Sequence, residues 1–299
     1  MDVLKKRNLF LAVTLLLIVV IVAVSAFILA QGPRESSVEV LAHNEDGTML
    51  VNDFNDGQMT IPYYDISTNT TLPQDFHEES NGTITYEGGE SLLGINVSSQ
   101  SGAIDWAQVK ENGVDFALIR VGYRGYKRGQ LVLDENFQTN IAGATEAGIP
   151  VGVYFYSKAV TDAEADEEAT FVLEKIRGYN VDYPIAFFWE YDYGDNGSLD
   201  QASRTIQCNG EQITGFIDAF CQKVKDAGFE ASYYASKSMA YETLDLSRLT
   251  QYDLWYAEYR AAPSFYYQFG MWQYTREGTV PGISQQVPIT LSFKNYANN

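Results

Sequence analysis

The stretch PVGVYFYSKAVTDAEADEEATFVLEKIRG, residues 150–178, places a short apolar run directly before a longer segment with helical spacing. Val and Tyr dominate the run, which ends at Ser157, and this composition is typical of a buried strand. Thr161 followed by Glu164 has the form of a capping box, and Gly178 stands just past the last apolar residue. The stretch therefore predicts one strand followed by one helix.

The same order of strand and helix recurs on both sides of this stretch. Alternation of this kind indicates a parallel sheet with helical crossovers, and a closed barrel is the economical form of such a sheet. The other strand–helix pairs are LLGINVSS (92–99) with DWAQVKEN (105–112), FALIRVGY (116–123) with NFQTNIAGATEAG (136–148), YPIAFFWEYD (183–192) with GEQITGFIDAFCQKVKDAG (210–228), and EASYYAS (230–236) with KSMAYETLD (237–245).

Three further strand candidates follow without helices between them. They are YDLWYAEY (252–259), FGMWQYT (269–275) and VPITLSF (287–293). We therefore predict an α/β fold for residues 92–299, an irregular TIM-like barrel of five strand–helix units and three final strands, (β/α)5β3. The active site of such a barrel lies at the carboxyl ends of its strands, here called the mouth.

The first thirty residues differ from the rest of the chain. Residues 1–8 form a flank that contains the basic triplet KKR, and residues 9–30 are apolar and uncharged. Such a run is long enough to span a bilayer as a helix, and its basic flank stays in the cytoplasm. We predict a transmembrane signal anchor that makes this a single-pass protein of the cell membrane with its C-terminal domain extracellular, in a bacterial envelope. A cleaved secretory peptide is the alternative.

Acidic residues are concentrated in the segment that follows. The chain has a formal net charge of −19, and residues 31–91 contain Arg34 as their only Lys or Arg. The Asn-Gly turn in NGTITYEGG (81–89) predicts a short strand. We predict an acidic extracellular stalk with one or two strands that dock on the barrel. The charge excludes nucleic acid as a partner and favours recognition through neutral groups such as sugars.

Cysteine and histidine are scarce in this chain. There are two cysteines, Cys208 and Cys221, and two histidines, with no CxxC motif. We therefore expect neither a metal site nor a cofactor. Two buried thiols are predicted, because a disulfide would require Cys208 to lie before the helix of Cys221 and fold back.

Aromatic residues predominate at the predicted strand ends. Tyr and Trp combine an apolar face with a polar edge, which suits stacking against sugar rings, although filling of the barrel core is the alternative. Arg120 and Arg124 are candidates for contacting a polar or anionic group of a ligand, with pairing to an acid as the alternative. The candidate substrate-binding residues are Tyr123, Arg124, Tyr156, Trp189, Tyr259, Trp272 and Tyr274.

Six segments of the barrel region occur together, in this order, in one known family. They are GINVSSQSGAIDWAQVKENGVDFALIRVGYRGY, GIPVGVYFYS, EADEEATFVL, LWYAEY, MWQYTREGTVPGI and VPITLSF. From Gly94 to Phe293 the chain thus resembles glycoside hydrolase family 25, the N-acetylmuramidase type of lysozyme. The resemblance implies an irregular (β/α) barrel and, as substrate, the glycan strands of bacterial peptidoglycan. A membrane anchor would hold such a domain facing the cell wall.

The resemblance also implies a cluster of carboxylates at the mouth, and most of them are replaced here. Asn96 stands for the Asp of the family's Gly-Ile-Asp-Val-Ser motif. In the Asp-x-Glu motif of the fourth strand, Phe188 replaces the Asp and Glu190 is retained. Gly270 stands where an Asp precedes Trp-Gln-Tyr, and Pro288 replaces the Asp of Val-Asp-Leu-Asn.

Glycoside hydrolysis needs an acid and a second group that stabilises the oxocarbenium-like centre. Glu190 is the retained acid, and burial among aromatic side chains is expected to favour its neutral form. Asp192 is a possible substitute partner, and Glu258 is a second candidate. We therefore expect a membrane-anchored, lysozyme-like domain that binds peptidoglycan glycan with lost or impaired hydrolysis. The alternatives are an active N-acetylmuramidase with Glu190 as general acid, or an envelope scaffold protein.

Overall fold

The computed structural model describes residues 37–298, which form part of one compact unit. The predicted basic flank 1–8 and transmembrane segment 9–30 lie outside these residues. Within 37–298, no helix is long and apolar enough to cross a membrane.

Five short strands precede the barrel, more than the one or two predicted for the stalk. β1 (Val38–His43), β2 (Thr48–Asp53) and β3 (Gly57–Pro62) form an antiparallel sheet, called the N-terminal sheet below. β4 (Phe76–Glu78) and β5 (Ile84–Tyr86) form a separate hairpin. The predicted turn at 81–82 therefore does lead into a strand.

These strands pack directly on the barrel. The Tyr267 hydroxyl donates to the Pro62 carbonyl at 2.6 Å and accepts from the Tyr64 backbone N–H at 2.9 Å. Phe76 lies edge-on to Trp272, with ring centroids 5.3 Å apart. Most of the predicted stalk is thus an integral part of the barrel unit.

Eight strands close the barrel, and a ninth pairs at its side. The strands are β6 (Leu92–Val97), β7 (Phe116–Arg124), β8 (Leu131–Leu133), β9 (Val151–Ser157), β10 (Ile185–Trp189), β11 (Ala231–Ser236), β12 (Asp253–Ala257), β13 (Met271–Gly278) and β14 (Val287–Ser292). The barrel order is β6-β7-β9-β10-β11-β12-β13-β14, and β14 returns to pair with β6. All neighbours are parallel except β14, which is antiparallel to both β13 and β6. β8 forms a hairpin with β7 that was not predicted.

Five helices follow the first five barrel strands. They are α1 (Trp106–Glu111), α2 (Phe137–Glu146), α3 (Asp162–Lys175), α4 (Gly210–Asp226) and α5 (Lys237–Glu242). Short 3-10 turns lie at Pro73–Asp75, Ser99–Ser101, Arg204–Gln207, Leu246–Arg248 and Tyr296–Asn298. The predicted (β/α)5β3 barrel is confirmed.

Local sequence signals explain the start and the end of α3. The Thr161 side chain caps the helix by accepting from the Glu164 N–H, as predicted. The Glu164 carboxylate accepts from the Val160 N–H at 2.9 Å, one residue earlier than in a standard capping box. Gly178 has a φ of 91°, which suits glycine where the chain leaves the helix.

Two apolar layers stabilise the barrel, one inside it and one between its strands and helices. Inside, Phe116 stacks on Tyr183 with centroids 4.3 Å apart. A Cβ at Gly94 would lie 2.2 Å from the Phe116 ring, so this glycine of the Gly-Ile-Asn-Val-Ser motif makes room for that ring. Cys208 and Cys221 are buried free thiols, which confirms their prediction.

Candidate active site

Strand alternation brings side chains from opposite walls of the barrel together at the mouth. Asn96, near the end of β6, contacts Gln273 of β13 and Thr290 of β14. Phe188 and Glu190, two residues apart at the end of β10, share one face and approach Tyr234 of β11. These contacts alone join five strands at the mouth.

The side of the mouth near β6 is a chain of neutral hydrogen bonds. The Asn96 amide donates to Gln273 Oε1 at 2.7 Å, and the Gln273 amide donates to the Tyr259 hydroxyl at 3.0 Å. Thr290 Oγ1 donates to Asn96 Oδ1 at 3.3 Å and accepts from Trp255 Nε1 at 3.3 Å. Asn96 has no ionisable oxygen, so this wall positions amides and hydroxyls and supplies no negative charge.

The centre of the mouth is aromatic. Phe188 stacks on Tyr234 with ring centroids 3.8 Å apart and an interplanar angle of 13°. Tyr156 lies 5.3 Å from Phe188, and Trp255 approaches the same ring edge-on at 5.7 Å. The side chain at the replaced Asp position is thus held by ring contacts on several sides.

Glu190 is partly buried above this aromatic group. Its carboxylate forms an ion pair with Arg276, whose Nη2 lies 3.5 Å from Glu190 Oε1. Burial raises the pKa of the Glu190 carboxyl, although Arg276 and Lys158 oppose this rise. This rise in pKa agrees with the expectation from the sequence that burial favours the neutral form of Glu190. A neutral Glu190 can donate a proton or a hydrogen bond to a sugar oxygen.

Asp192 is engaged by other residues. Its Oδ1 lies 2.8 Å from Lys158 Nζ, and its Oδ2 accepts a hydrogen bond from Ser203 Oγ. Lys158 Nζ also donates to the Glu190 carbonyl at 2.6 Å. In this arrangement the Asp192 carboxylate neutralises a nearly inaccessible lysine. The predicted substitute partner is therefore committed to an ion pair.

Two replaced positions prove to be at opposite ends of the barrel. Pro288, two residues before Thr290, lies at the start of the antiparallel strand β14 and hence at the mouth. Gly270 immediately precedes the parallel strand β13, and a Cβ there would lie 2.7 Å from the Tyr296 hydroxyl and 3.3 Å from Asp253. Asp253 begins β12, so Gly270 lies at the end of the barrel opposite the mouth. The expectation that Gly270 shares the pocket was wrong.

Only some of the predicted substrate-binding residues lie at the mouth. Tyr123 and Tyr156 line a cleft beside it, and Tyr259, 41% exposed, lies at its rim. Trp189 and Trp272 are fully buried on the outer side of the barrel wall. Their indole N–H groups donate there to the Ala159 and Glu258 carbonyls at 2.9 Å. They are positioned as core residues and not as sugar platforms.

Tyr274 and Arg124 also differ from the expectation. Tyr274 is buried outside the barrel and packs on Trp272, with centroids 5.5 Å apart. Arg124 is buried, with its Nε 2.6 Å from Glu168 and its Nη2 2.7 Å from Glu167. Both side chains point away from the mouth because alternate residues of a strand face opposite sides.

The remaining candidates have structural partners. Arg120 Nη2 lies 2.7 Å from the buried carboxylate of Asp134, which was the alternative considered for it. Glu258 accepts from the Ser264 N–H at 2.7 Å and from Tyr256 at 3.1 Å, outside the barrel. Glu258 is thus no partner for Glu190. Among residues 37–298, no group of His, Cys, Asp and Glu has the arrangement of a metal site.

Three residues of the mouth were not singled out from the sequence. Lys158 directly follows the predicted strand that ends at Ser157, and Tyr234 lies on the predicted strand EASYYAS, where it pairs with Phe188 of the neighbouring strand. Arg276 follows the predicted strand FGMWQYT, and β13 continues through it to Gly278. It donates to the Tyr259 hydroxyl and contacts Glu190.

Comparison with known proteins finds relatives of this chain. The model of glycosyl hydrolases family 25 matches residues 95–283. An autolytic lysozyme of Clostridium acetobutylicum is 27% identical over 194 residues, which cover 64% of this chain and 53% of that protein. The probable GH family 25 lysozyme 2 of Dictyostelium discoideum is 26% identical over 177 residues, 58% of this chain and 76% of that protein.

Solved structures show the same fold. The modular autolysin LytC of Streptococcus pneumoniae superposes with a TM-score of 0.57 at 22% identity, covering 85% of this chain and 58% of LytC. A family 25 glycosyl hydrolase of Bacillus anthracis has a TM-score of 0.57 at 20% identity, covering 71% of this chain and 92% of that one. The chain therefore spans little more than half of the autolytic lysozyme and of LytC. Because the family model spans most of the chain, this protein belongs to glycoside hydrolase family 25.

Proposed function

We propose that the chain binds the glycan strands of bacterial peptidoglycan at the barrel mouth and that hydrolysis of the strand is lost or severely impaired. One observation supports the loss of hydrolysis. Phe188, at the position where the resemblance expects an Asp, is stacked on Tyr234 at 3.8 Å and leaves no polar group there. Binding is supported by family membership and by LytC, which has been solved with a synthetic peptidoglycan ligand.

Chemistry explains why one carboxyl is insufficient. A glycosidase pairs its acid with a nucleophile, a base for water, or a group that assists the substrate. Asn96 and Thr290 are neutral, and Asp192 is neutralised by Lys158. Loss of one acid–base partner typically costs a hundredfold to ten-thousandfold in rate. Glu190 without such a partner is a hydrogen-bonding group for a sugar.

The same mouth retains what sugar binding requires. Tyr156 and Tyr259 present aromatic surface, and the buried amides of Asn96 and Gln273 form the hydrogen-bond chain that ends at the Tyr259 hydroxyl. Aromatic faces and neutral hydrogen-bonding groups suit pyranose rings and their acetamido substituents. The mouth can therefore lose its catalytic charge and still recognise a glycan.

An active N-acetylmuramidase is the second candidate, because one feature favours it. The raised pKa of Glu190 suits a general acid. This candidate requires a second group that acts with Glu190. The envelope scaffold is a third class, in which partners bind the barrel surface and the mouth has no ligand.

We also propose that residues 9–30 anchor the protein in the cell membrane with the barrel outside. The support for this is the uncharged apolar run with its basic flank in the sequence. An anchor of this orientation would place the mouth against peptidoglycan. Surface labelling of cells with a membrane-impermeant reagent tests it, and labelling only after lysis would contradict it.

Binding is tested by sedimentation of the purified full chain with insoluble peptidoglycan. Tyr259→Ala is expected to weaken binding at least threefold, because loss of an aromatic stacking contact costs about 1 kcal/mol. Tyr63→Ala is a matched control, since Tyr63 is 42% exposed and lies at the end of the N-terminal sheet. No sedimentation of the wild type would favour the scaffold class. Equal loss in both variants would contradict binding at the mouth.

A further inference from the structure

A cleft opens beside the mouth, next to the turn that joins β7 to β8. It is lined by Tyr123, Tyr126, Lys127, Arg128, Tyr156 and Asp192, and we call it the hairpin cleft. Tyr156 forms part of its wall and also lies 5.3 Å from Phe188 in the mouth. A polymer bound in the mouth can therefore place a side branch in the hairpin cleft.

The cleft carries local positive charge in an acidic protein. Lys127 and Arg128 are exposed, and neither forms a salt bridge to any acid among residues 37–298. The Lys127 ammonium lies over the Tyr126 ring, 5.1 Å from its centroid, and Asp200 acts on it only at longer range. Asp192 is already paired with Lys158 at 2.8 Å. The two rim cations are thus available to an anionic ligand group.

The turn that presents these cations is held in one conformation by buried contacts. The Gly129 carbonyl accepts from the buried Arg124 Nη1 at 2.6 Å, and the Tyr126 carbonyl accepts from the Arg204 N–H at 3.0 Å. Gly125 and Gln130 close the turn with an N–H to carbonyl bond of 2.9 Å. A turn fixed in this way loses less entropy when a ligand binds.

We propose that the hairpin cleft binds the free carboxylate of a peptide branch on the glycan strand, a proposal that rests on the proposed glycan binding. The glycan backbone of peptidoglycan is neutral while its lactyl groups are joined to peptide branches by amide bonds, and these branches end in carboxylates. Lys127 and Arg128 pair with such a carboxylate, and Tyr123 and Tyr126 pack against the apolar part of the branch. The mouth selects the sugar, and the cleft selects strands that still carry branches.

The test compares two ligands with the full chain. Glycan strands with intact branches are compared with strands whose branches have been removed and whose newly exposed lactyl carboxylates have been capped as methyl amides. Both ligands are freed of phosphate-containing wall polymers. The wild type is expected to bind the branched strands about three- to tenfold more tightly, as two partly exposed ion pairs allow. Lys127→Gln with Arg128→Gln removes that preference and leaves affinity for unbranched strands unchanged. The preference also falls as salt is raised.

Lys110→Gln with Arg177→Gln is the matched control, because both side chains are exposed cations near the ends of helices that lead away from the mouth. The control variant should still bind branched strands more tightly than unbranched ones. Equal affinity of the wild type for both strands overturns the proposal while glycan binding stands. A third ligand, branched strands that retain their phosphate polymers, is measured as well. A preference seen with this ligand alone also overturns the proposal, since the anion would then be a phosphate. If neither strand binds, both proposals fail.

Discussion

Carboxylates are paired with a shared cation at the contact between the N-terminal sheet and the barrel, whereas neutral residues replace most of them at the mouth. We call this contact the joint, defined by Asp53, Asp56, Lys237 and Glu258. Lys237 Nζ lies 2.7 Å from Asp53, 2.6 Å from Asp56 and 3.2 Å from Glu258. At the mouth, the family positions at Asn96, Phe188 and Pro288 are neutral, and Glu190 remains with Arg276 at 3.5 Å.

The comparison shows where charge contributes to structure in this chain. At the joint, three carboxylates surround one ammonium, and Asn55 adds hydrogen bonds to Glu258 at 3.2 Å and to Ser264 at 2.9 Å. At the mouth, ring packing around Phe188 takes the place of charge. We therefore expect the free energy of unfolding to depend on the Lys237 cation at the joint and on the aromatic contacts of Phe188 at the mouth.

The largest effect is expected at the joint. Lys237→Met leaves Asp53, Asp56 and Glu258 without their common cation, and breaking a buried ion pair costs about 3 to 5 kcal/mol. Lys223→Met is the control, because the Lys223–Asp166 pair is exposed and such pairs contribute at most about 1 kcal/mol. Urea unfolding measures both free energies. Equal losses in the two variants would show that the joint is not held by its charges.

The second effect is expected at the mouth. Phe188→Asp removes the stack on Tyr234 and places a carboxylate among rings, so we expect a loss of about 3 kcal/mol in unfolding free energy. Phe188→Leu keeps an apolar side chain and should cost less than about 1.5 kcal/mol. The same unfolding experiment checks both. A Phe188→Asp variant as stable as the wild type would mean that the mouth still accommodates the family's carboxylate.

The smallest effect is expected in how the free energy of unfolding changes with pH, through the Glu190 carboxyl. Burial raises the pKa of Glu190 in the folded state, so this one carboxyl binds more protons in the folded protein than in the unfolded chain, where a Glu titrates at about pH 4.3. Its contribution to stability is therefore greatest at low pH and is lost as the pH rises through the folded pKa. Glu190→Gln removes this titration.

Unfolding free energies measured from pH 4 to pH 8 test this sign. The variant should gain stability relative to the wild type as the pH rises. A gain in the opposite direction would mean that Arg276 outweighs burial and lowers the pKa of Glu190. Arg276→Gln is the companion variant, in which the loss of stability with rising pH should be steeper.

Much of the barrel was predictable because strand and helix patterns are local. The five strand–helix units and the three final strands follow from apolar runs, caps and glycines such as Gly178. The N-terminal strands were underestimated because non-local contacts position them, such as Tyr64 with Tyr267. A segment rich in polar residues gives little indication of such contacts.

The sequence predicted which residues lie at the mouth better than it predicted the side of the barrel wall to which each side chain points. Asn96, Phe188, Glu190 and Pro288 lie at the mouth, as the resemblance implied. The sequence did not reveal which aromatic residues face outward, and Trp189 and Trp272 do so. Gly270 was misplaced although its position before a parallel strand already puts it at the opposite end of the barrel. Arg276 was missed because β13 continues beyond its apolar run.

The central proposal, that hydrolysis of the glycan strand is lost or severely impaired at this mouth, is tested most directly by counting the reducing ends that the protein releases. The full chain and its Glu190→Gln variant are incubated with purified peptidoglycan, with an active muramidase as the positive control. We predict that both proteins sediment with the polymer and release at most about a hundredth of the reducing ends that the positive control releases. Release by the wild type at a rate comparable to the positive control, disappearing in Glu190→Gln, would contradict the account and establish Glu190 as a working general acid.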